Sequence, residues 1–308
     1  MLTKVSPGIE TITGRKNILI NGNFNIWQRG SSFPIATTGI YTADRMFCAR
    51  ASSVGGYTVN QVAGNIGKHA LKMQRDQGDT GINKIGLNQY VEKQNTLLLR
   101  GKNVVAKVRL KVGADFSGST VRIHLSQTSD DDTALLKSSN GTLSSNSSDY
   151  VPTSDDIVPT TNFIDYEVNL GIIASTTNVI CFRIGFTPIG TAGVDDSITV
   201  DRIQLEVGET STNFEYNLYT EDLEKCKRYY VNGSNIPTSV RDPNAGRETS
   251  WCQIREVTMR IIPTESYTLS GGTIENATTP TSERIRIQIK SSDAGERTVM
   301  GYTADAEI

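Results

Sequence analysis

The sequence has 308 residues and carries 31 Lys and Arg against 33 Asp and Glu, which gives a net charge of -2 at pH 7. A protein that binds nucleic acid needs a basic surface to hold phosphates, so this charge balance argues against that class of partner. Thr, Ser, Asn and Gly together make up 110 of the 308 residues. Since Thr favours strands and the other three favour turns, the composition predicts an all-β protein with many turns.

Histidine and cysteine usage narrows the chemistry further. The sequence has two histidines, His69 and His124, and its four cysteines are widely spaced with no C-x-x-C pair. This pattern predicts neither a zinc site nor a disulfide framework. The first 20 residues contain no apolar segment of signal-peptide length, and no later apolar run approaches membrane-spanning length. We therefore expect a protein made in a reducing cytoplasm, without membrane insertion.

The chain divides into four segments. Residues 1–16 show no hydrophobic period, and we predict an arm that becomes ordered only against a partner. Residues 17–216 show repeated two-residue alternation of apolar and polar side chains, which predicts a β-sandwich of jelly-roll type. Residues 217–231 predict a short hinge helix, and residues 232–308 a small β-rich distal domain. The clearest alternating strands are Val104–Val112, Val121–Leu125, Ile164–Leu170, Ile180–Phe186 and Ile198–Val207.

Two details of the sandwich segment carry specific predictions. Ile198 and Val200 set one phase of the last strand, whereas Ile203 and Leu205 set the other, so the pattern predicts a β-bulge at Asp201-Arg202. Residues 126–162 are rich in Ser, Thr, Asp and Asn, and we expect a long loop there that is disordered or decorates the sandwich edge.

The helix at residues 217–231 has one narrow apolar stripe, made by Leu223, Cys226 and Tyr230. Thr220 is the predicted N-cap, and Asn232-Gly233 stops the helix. A helix this short is not stable by itself in water, so the stripe must pack on another surface. We predict that it packs against symmetry mates, so that these three residues form an oligomer interface.

Short blocks along the chain resemble known proteins. Asn17–Phe24 resembles the opening strand of jelly-roll carbohydrate-binding modules, and Ile198–Glu206 resembles their closing strand. Other blocks are similar to bacteriophage tail-fibre and receptor-binding proteins at their start, at the junction to their distal domain and at their tip. These blocks are Ile26–Gly30, Tyr41–Arg45, Asn213–Glu215, Leu223–Tyr230, Met259–Thr264 and Tyr302–Glu307.

The resemblance implies a structural protein of a phage virion, a homotrimer with a jelly-roll body and a β-rich tip used for host attachment. The N-terminal arm would dock it to other virion proteins, and the ligand would be a host cell-surface polysaccharide. The protein would be assembled in the bacterial host cytoplasm. Two alternatives stay open: a capsid-decorating or head-fibre protein, and a carbohydrate-binding module of a polysaccharide hydrolase.

Glycan binding uses aromatic faces and planar polar side chains, and two groups of residues supply them. The preferred candidates surround the distal segment, because binding loops sit on rigid scaffolds. Trp27, Arg29, Tyr41 and Asp44 form a second group, but large aromatic residues are usually buried, so we favour the alternative that Trp27 is a core residue and Arg29 pairs with Asp44 to fix a loop. The preferred candidates are Arg241, Asn244, Arg247, Trp251, Tyr229 and Tyr230. Trp251 is as well suited to anchoring a trimer interface.

The remaining expectations concern metals and catalysis. The resemblance to jelly-roll modules implies a structural calcium ion, with Asn23 and Asp201 at the matching positions, although a complete site needs six or more oxygen ligands. No G-x-S-x-G, H-E-x-x-H or P-loop motif occurs, and no solenoid repeat is present. We therefore expect a protein that is not an enzyme and needs no cofactor; for Asn23 and Asp201 we favour a solvated turn, with a structural calcium ion as the alternative.

Overall fold

The computed structural model describes residues 16–35, 39–50, 55–130, 153–240, 248–253, 258–269, 273–277, 281–282, 286–291 and 295–307. Strands dominate these residues. The helices found there are α1, Lys93–Thr96, which continues as a 3-10 turn over Leu97–Leu99, and α2, Tyr219–Lys227. Neither is long and apolar enough to cross a membrane.

Two six-stranded antiparallel sheets form the body of the molecule. The first sheet contains, in spatial order, β1 (Ser32–Ile35), β4 (Tyr57–Ala63), β5 (His69–Arg75), β12 (Ser197–Val207), β7 (Asn103–Val112) and β10 (Ile164–Ile172). The second contains β2 (Ile40–Tyr41), β3 (Phe47–Arg50), β6 (Ile85–Val91), β11 (Val179–Phe186), β8 (Val121–Thr128) and β9 (Thr153–Ile157).

The core lies between these sheets and follows from the alternation in the sequence. Val108 and Leu110 of β7 point inward, and Phe182 and Ile184 of β11 meet them in one continuous buried cluster. The polar neighbours of these residues point to the outer faces, because successive side chains of a strand lie on opposite sides of the sheet. The predicted all-β fold, a jelly-roll β-sandwich, is confirmed.

The predicted β-bulge is also confirmed. The register between β12 and β7 shifts between Val200 and Arg202. Val200 and Ile203 are both fully buried on the core side. In a regular strand, residues three positions apart point to opposite faces, so one extra residue must be inserted between these two.

The prediction for Asn17–Phe24 was wrong, since these residues form turns and not an opening strand. Asn21 and Phe24 have φ values of 57° and 52°, in the left-handed region that interrupts an extended chain. The Asn21 side chain holds this turn by donating to the backbone carbonyls of Ile26 and Asp44, at 2.9 and 3.0 Å. The segment still contributes Leu19 and Phe24 to the core.

The predicted loop over residues 126–162 is shorter than expected. β8 continues to Thr128, and β9 pairs antiparallel with β8 and extends the second sheet. Residues 131–152 lie outside the described residues. β9 was missed because Thr153–Ile157 has two adjacent aspartates and no hydrophobic alternation, so it reads as a polar loop in the sequence.

The C-terminal part begins with α2. Its N-cap is Leu218, so the predicted cap, Thr220, lies inside the first turn. The strands that follow are β13 (Tyr230–Val240), β14 (Glu248–Gln253), β15 (Thr264–Leu269), β16 (Thr273–Ala277), β17 (Arg286–Ser291) and β18 (Gly295–Asp305). They form two three-stranded sheets, β13-β18-β15 and β14-β17-β16. The segment after α2 is therefore β-rich.

Candidate functional site

The outer face of the second sheet brings polar side chains from distant parts of the sequence into adjacent rows. In one row, Asn88 of β6 pairs with Arg183 of β11, which pairs with His124 of β8. In the next row, Gly86 pairs with Gly185, which pairs with Arg122, and Arg122 pairs with Asp156 of β9. Because paired residues of adjacent strands point to the same side, the side chains within each row are neighbours.

A cleft of about 240 Å³ opens on this face beside β8, β9 and β11. Gly185 lines it, and Gly86 lies next to Gly185 in the sheet. A Cβ atom at Gly86 would lie 2.9 Å from Nε of Arg183. The missing side chains therefore leave room for the guanidinium group and for the cleft. The described lining residues are Lys84, Ser119, Thr120, Arg122, His124, Asp156, Arg183, Gly185, Phe186 and Thr187.

Positive charge predominates in this cleft. Lys84, Arg122 and Arg183 are its described cations, and Asp156 is the described carboxylate. Asp156 accepts two hydrogen bonds from Arg122, from Nε at 2.7 Å and from Nη2 at 2.8 Å. This bidentate pair fixes the guanidinium plane at the rim, and Nη1 of Arg122 takes no part in it.

The pKa values in the cleft follow from burial and from this excess of cations. Burial lowers the pKa of Lys84, and the nearby Arg183 and Arg122 lower it further. Burial, followed by the positive charges of Arg183, Lys84 and Arg122, lowers the pKa of His124 to about 4. His124 is therefore neutral at pH 7, and its Nε2 atom lies 2.8 Å from Oγ of Ser126.

A second cleft, of about 310 Å³, lies on the first sheet near Lys72, Lys111 and Phe163. Nζ of Lys72 lies 2.9 Å from Oδ1 of Asp195, and Nζ of Lys111 lies 5.0 Å from the ring centre of Phe163. This cleft has two cations and one carboxylate among its described lining residues, whereas the cleft on the second sheet has three cations and one carboxylate. The larger excess of positive charge makes the cleft on the second sheet the better candidate for binding a charged ligand.

Tyr229 and Tyr230, two predicted receptor-binding residues, lie instead at the junction between the sandwich and the C-terminal strands. The guanidinium group of Arg45 lies 3.5 Å from the ring centre of Tyr229, and that of Arg29 lies 3.5 Å from the ring centre of Tyr230. Tyr229 is 1% exposed, and Tyr230 is 8% exposed. An arginine therefore already covers each ring within the chain, which does not favour a contact with a receptor, and that role stays a prediction.

The second candidate group serves the same junction. Arg29 does not pair with Asp44 as expected; its Nη2 atom lies 3.2 Å from Asp305, and its Nη1 atom lies 3.6 Å from Glu307. Its guanidinium group also lies 5.2 Å from the ring centre of Tyr41. Asp44 is buried and accepts hydrogen bonds from the backbone and side chain of Gln28.

Trp27, the last of this group, is partly buried against the main core. Its indole Nε1 donates to the carbonyl of Phe24 at 2.6 Å, and its ring stacks on Phe33 at 6.3 Å. The alternative that these residues fix loops and the core is therefore the one the contacts favour.

The predicted oligomer stripe packs within its own chain. Cys226 is fully buried in a cluster with Ile20, Ile26 and Tyr229, and Leu223 packs against that cluster. Tyr230 is the residue covered by Arg29. The turn at residues 19–26 therefore covers much of the stripe within the chain, and the predicted oligomer interface at these three residues stays a prediction.

The distal candidates are not tested. Arg241, Asn244 and Arg247 lie outside the described residues. Trp251 belongs to β14, where the structure describes the backbone and its pairing with Gln288. These four residues stay predictions.

Asn23 and Asp201 offer side-chain oxygen atoms, which are the type of ligand that calcium prefers, but two residues do not supply the six or more oxygen atoms that it needs. One side-chain oxygen of each is buried without a hydrogen bond. However, Asp201 already receives the backbone N–H of Asn65 at 2.5 Å, and Nε of Arg109 lies 3.9 Å from its other oxygen. Asp195 and Asp196 pair with Lys72 and Arg75. No group of three or more carboxylate, His or Cys side chains suited to a metal occurs within the described ranges.

Sequence reasoning missed the cleft. The alternation did place Arg122 and His124 on the outer face of a strand, which was the available signal. Two features could not be predicted from the sequence. Asp156 belongs to β9, whose sequence is typical of a loop. Arg183 lies beside His124 because β11 pairs with β8.

Comparison with known proteins gives distant structural likenesses. No protein-family model matches the sequence, and no curated protein matches it. A solved family 4 carbohydrate-binding module shares 14% identity and a TM-score of 0.37, covering 61% of this chain and 98% of that one. A family 61 module in complex with β-1,4-galactotriose shares 15% identity and a TM-score of 0.33, covering 63% and 100%. Tailspike protein 4 of bacteriophage CBA120 shares 9% identity and a TM-score of 0.34, covering 62% and 21%.

Proposed function

We propose that this chain is a non-enzymatic structural protein of a bacteriophage virion, a tail fibre or receptor-binding protein that attaches to host surface glycan. The proposal of a virion role rests on the order of the short tail-fibre-like blocks along the whole sequence. The arm at residues 1–16 would dock to other virion proteins, and the chain would act as a homotrimer. Several weak glycan contacts would then combine into strong attachment.

The observation that carries glycan binding is the cleft on the second sheet. Sugar hydroxyl groups are bound by planar side chains whose donors are held in fixed directions. Arg122 is held in this way by Asp156, with Nε and Nη2 at 2.7 and 2.8 Å from the carboxylate. Ser119, Thr120 and Thr187 add hydroxyl groups around the opening. The cleft therefore places several donors and acceptors around one ligand-sized space.

The proposal is tested with purified full-length protein on an array of bacterial surface polysaccharides. Ser119 is exposed and lines the cleft, so Ser119→Trp fills the space without removing a charge. We expect this variant to lose binding, whereas Ser31→Trp, at an exposed site near the first sheet, binds as the wild type does. Equal binding by both variants would remove the cleft from glycan attachment.

Two alternatives share the architecture and differ in location. A capsid-decorating or head-fibre protein would carry the same cleft on the shell of the particle, and antibody labelling of intact virions distinguishes head from tail. A carbohydrate-binding module of a hydrolase would bind glycan as a monomer and would not label virions. A depolymerase would release reducing ends from the bound polysaccharide, whereas we expect none.

A further inference from the structure

We infer that the cleft on the second sheet binds an acidic sugar, through the carboxylate of a uronic acid or a similar acidic residue of the glycan. This inference rests on the proposed function, since it names the chemical class of ligand for the same site. Its basis is the charge of the lining and the lack of an open aromatic platform.

The cleft carries an excess of positive charge. The described lining has Lys84, Arg122 and Arg183 as cations, whereas Asp156 is the described acid and is held at the rim by Arg122. His124, which follows Arg122 on the same face of β8 and pairs with Arg183 of β11, adds no negative charge. The whole protein has a net charge of -2, so this positive cleft is a local feature and not a reflection of a basic chain. Fixed positive charges in a partly enclosed cleft attract an anion more strongly than the same charges on an open surface.

The described lining of the cleft offers no open aromatic ring on which a sugar could stack. Neutral sugars are commonly held by the face of an exposed aromatic ring. Among the described residues that line the cleft, Phe186 alone carries a phenyl, phenol or indole ring, and it is 2% exposed because it packs into the core. A ligand in this cleft therefore gains little from stacking and depends on charge-assisted hydrogen bonds, which are the stronger kind.

Lys84 lies in positively charged surroundings. Its ammonium group is partly buried near two guanidinium groups, and these surroundings lower its pKa. A carboxylate placed between Lys84 and Arg183 would relieve this repulsion and accept hydrogen bonds from both. A neutral hydroxymethyl group at the same position would leave the repulsion in place. The cleft therefore discriminates between an acidic sugar and its neutral counterpart.

The test compares acidic glycans with matched neutral forms. Uronic-acid-containing bacterial capsular polysaccharides are measured intact and after chemical reduction of their carboxyl groups to hydroxymethyl groups, with full-length protein at 50 and 300 mM salt. We expect the intact forms to bind about tenfold more tightly at low salt, and the difference to shrink at high salt.

Two variants of equal charge change locate the effect. Lys84→Gln should weaken binding of the intact polysaccharides about five- to tenfold, since one charge-assisted hydrogen bond is lost, and should weaken binding of the reduced forms less, since the amide of Gln still donates to a hydroxyl group. The variant should fold, because Asp156 keeps Arg122 as its partner. Lys68→Gln, at an exposed turn of the first sheet, should bind as the wild type does.

The outcomes separate this inference from the proposed function. Equal binding of intact and reduced forms, abolished in both cases by Ser119→Trp, would keep the glycan-binding cleft and overturn the acidic ligand. Identical behaviour of Lys84→Gln and Lys68→Gln would also overturn it. Binding of neither form by the wild type would overturn the proposed glycan attachment itself.

Discussion

Two buried arginine side chains, Arg45 and Arg75, make polar contacts inside the molecule that the hydrophobic pattern of the sequence does not indicate. Arg45 is 1% exposed; it pairs with Glu307, donates to the carbonyl of Tyr90 at 2.6 Å and covers the ring of Tyr229. Arg75 is also 1% exposed, and Asp196 and three backbone carbonyls surround it. A buried guanidinium group is tolerated only when its donors find such partners. In both cases at least one partner comes from a distant segment, Glu307 for Arg45 and Asp196 for Arg75, so each arginine joins separate parts of the chain.

His124 gives a prediction for the effect of pH on stability. Its pKa is about 4 in the folded protein, below the ordinary value of 6.5, because burial and three nearby cations oppose its protonation. The unfolded chain therefore takes up a proton first as the pH falls. The contribution of His124 to the free energy of unfolding is fully present above pH 6.5. It decreases by roughly 1 to 2 kcal/mol as the pH falls toward 4, allowing for the partial exposure of the ring.

The measurement is the free energy of unfolding in urea at pH 7.0, 5.5 and 4.5, for the wild type and His124→Gln. The variant has no proton to take up, so its stability should fall less than that of the wild type over this range. His69→Gln is the control, because His69 is mostly solvated and burial lowers its pKa less. Parallel pH profiles for the wild type and His124→Gln would contradict the prediction.

At the scale of elements, α2 connects the sandwich to the C-terminal strands. Leu223 and Cys226 pack on Ile20 and Ile26 of the N-terminal turn, and Nη2 of Arg228 lies 3.2 Å from Glu92, which precedes α1. After the helix, the carbonyl of Arg228 receives the N–H of Arg260, and the carbonyl of Tyr229 receives the N–H of Ala306. The helix is thus attached on both sides, which explains how an element of nine residues is stable.

Two leucine-to-aspartate substitutions test this packing. Leu223→Asp places a charge against the cluster and should destabilise the protein by about 2 kcal/mol. Leu218→Asp, at the exposed N-cap, should be neutral or stabilise it by about 0.5 kcal/mol, because an aspartate there can accept N–H groups of the first turn. Urea unfolding of both variants is the measurement, and equal losses of stability would show that the stripe does not pack as described.

For the whole molecule, we expect the proposed homotrimer to use surfaces besides the helix stripe. The turn at residues 19–26 already packs on Leu223 and Cys226 of the stripe within one chain. The exposed Tyr216, Leu218 and Tyr219, immediately before and at the start of α2, leave apolar surface nearby. A trimer would place three copies of the cleft on one particle, which is the condition under which weak glycan contacts add up.

Native mass measured by light scattering tests the oligomer. Three chains of 33.6 kDa give a mass of about 101 kDa, which is the expected result for the fibre protein. Leu223→Asp, where it remains folded, should keep that mass, because its effect falls within one chain. A mass near that of a single chain would favour the stand-alone glycan-binding module over the fibre.

The sequence predicted the fold more fully than the site. Alternation identified β7, β8, β10, β11 and the bulge in β12, since one buried face imposes a two-residue period whatever the strand pairs with. The opening turn at Asn21 and Phe24 was missed because positive φ values at non-glycine residues follow from side-chain contacts that no local pattern records. β9 was missed because an edge strand with exposed aspartates need not alternate.

By itself, the sequence determined the all-β class, the main strands, the bulge and the presence of one helix after the sandwich. These features depend on local propensity and on the burial of one face, which neighbouring residues encode. Only the tertiary structure decided that Tyr229 and Tyr230 belong to an internal junction, and that Arg122, His124, Asp156 and Arg183 line one cleft. Strand order and register create the cleft, and among these four residues they bring together positions up to 61 apart, from Arg122 to Arg183. A local pattern along the chain does not specify such pairings.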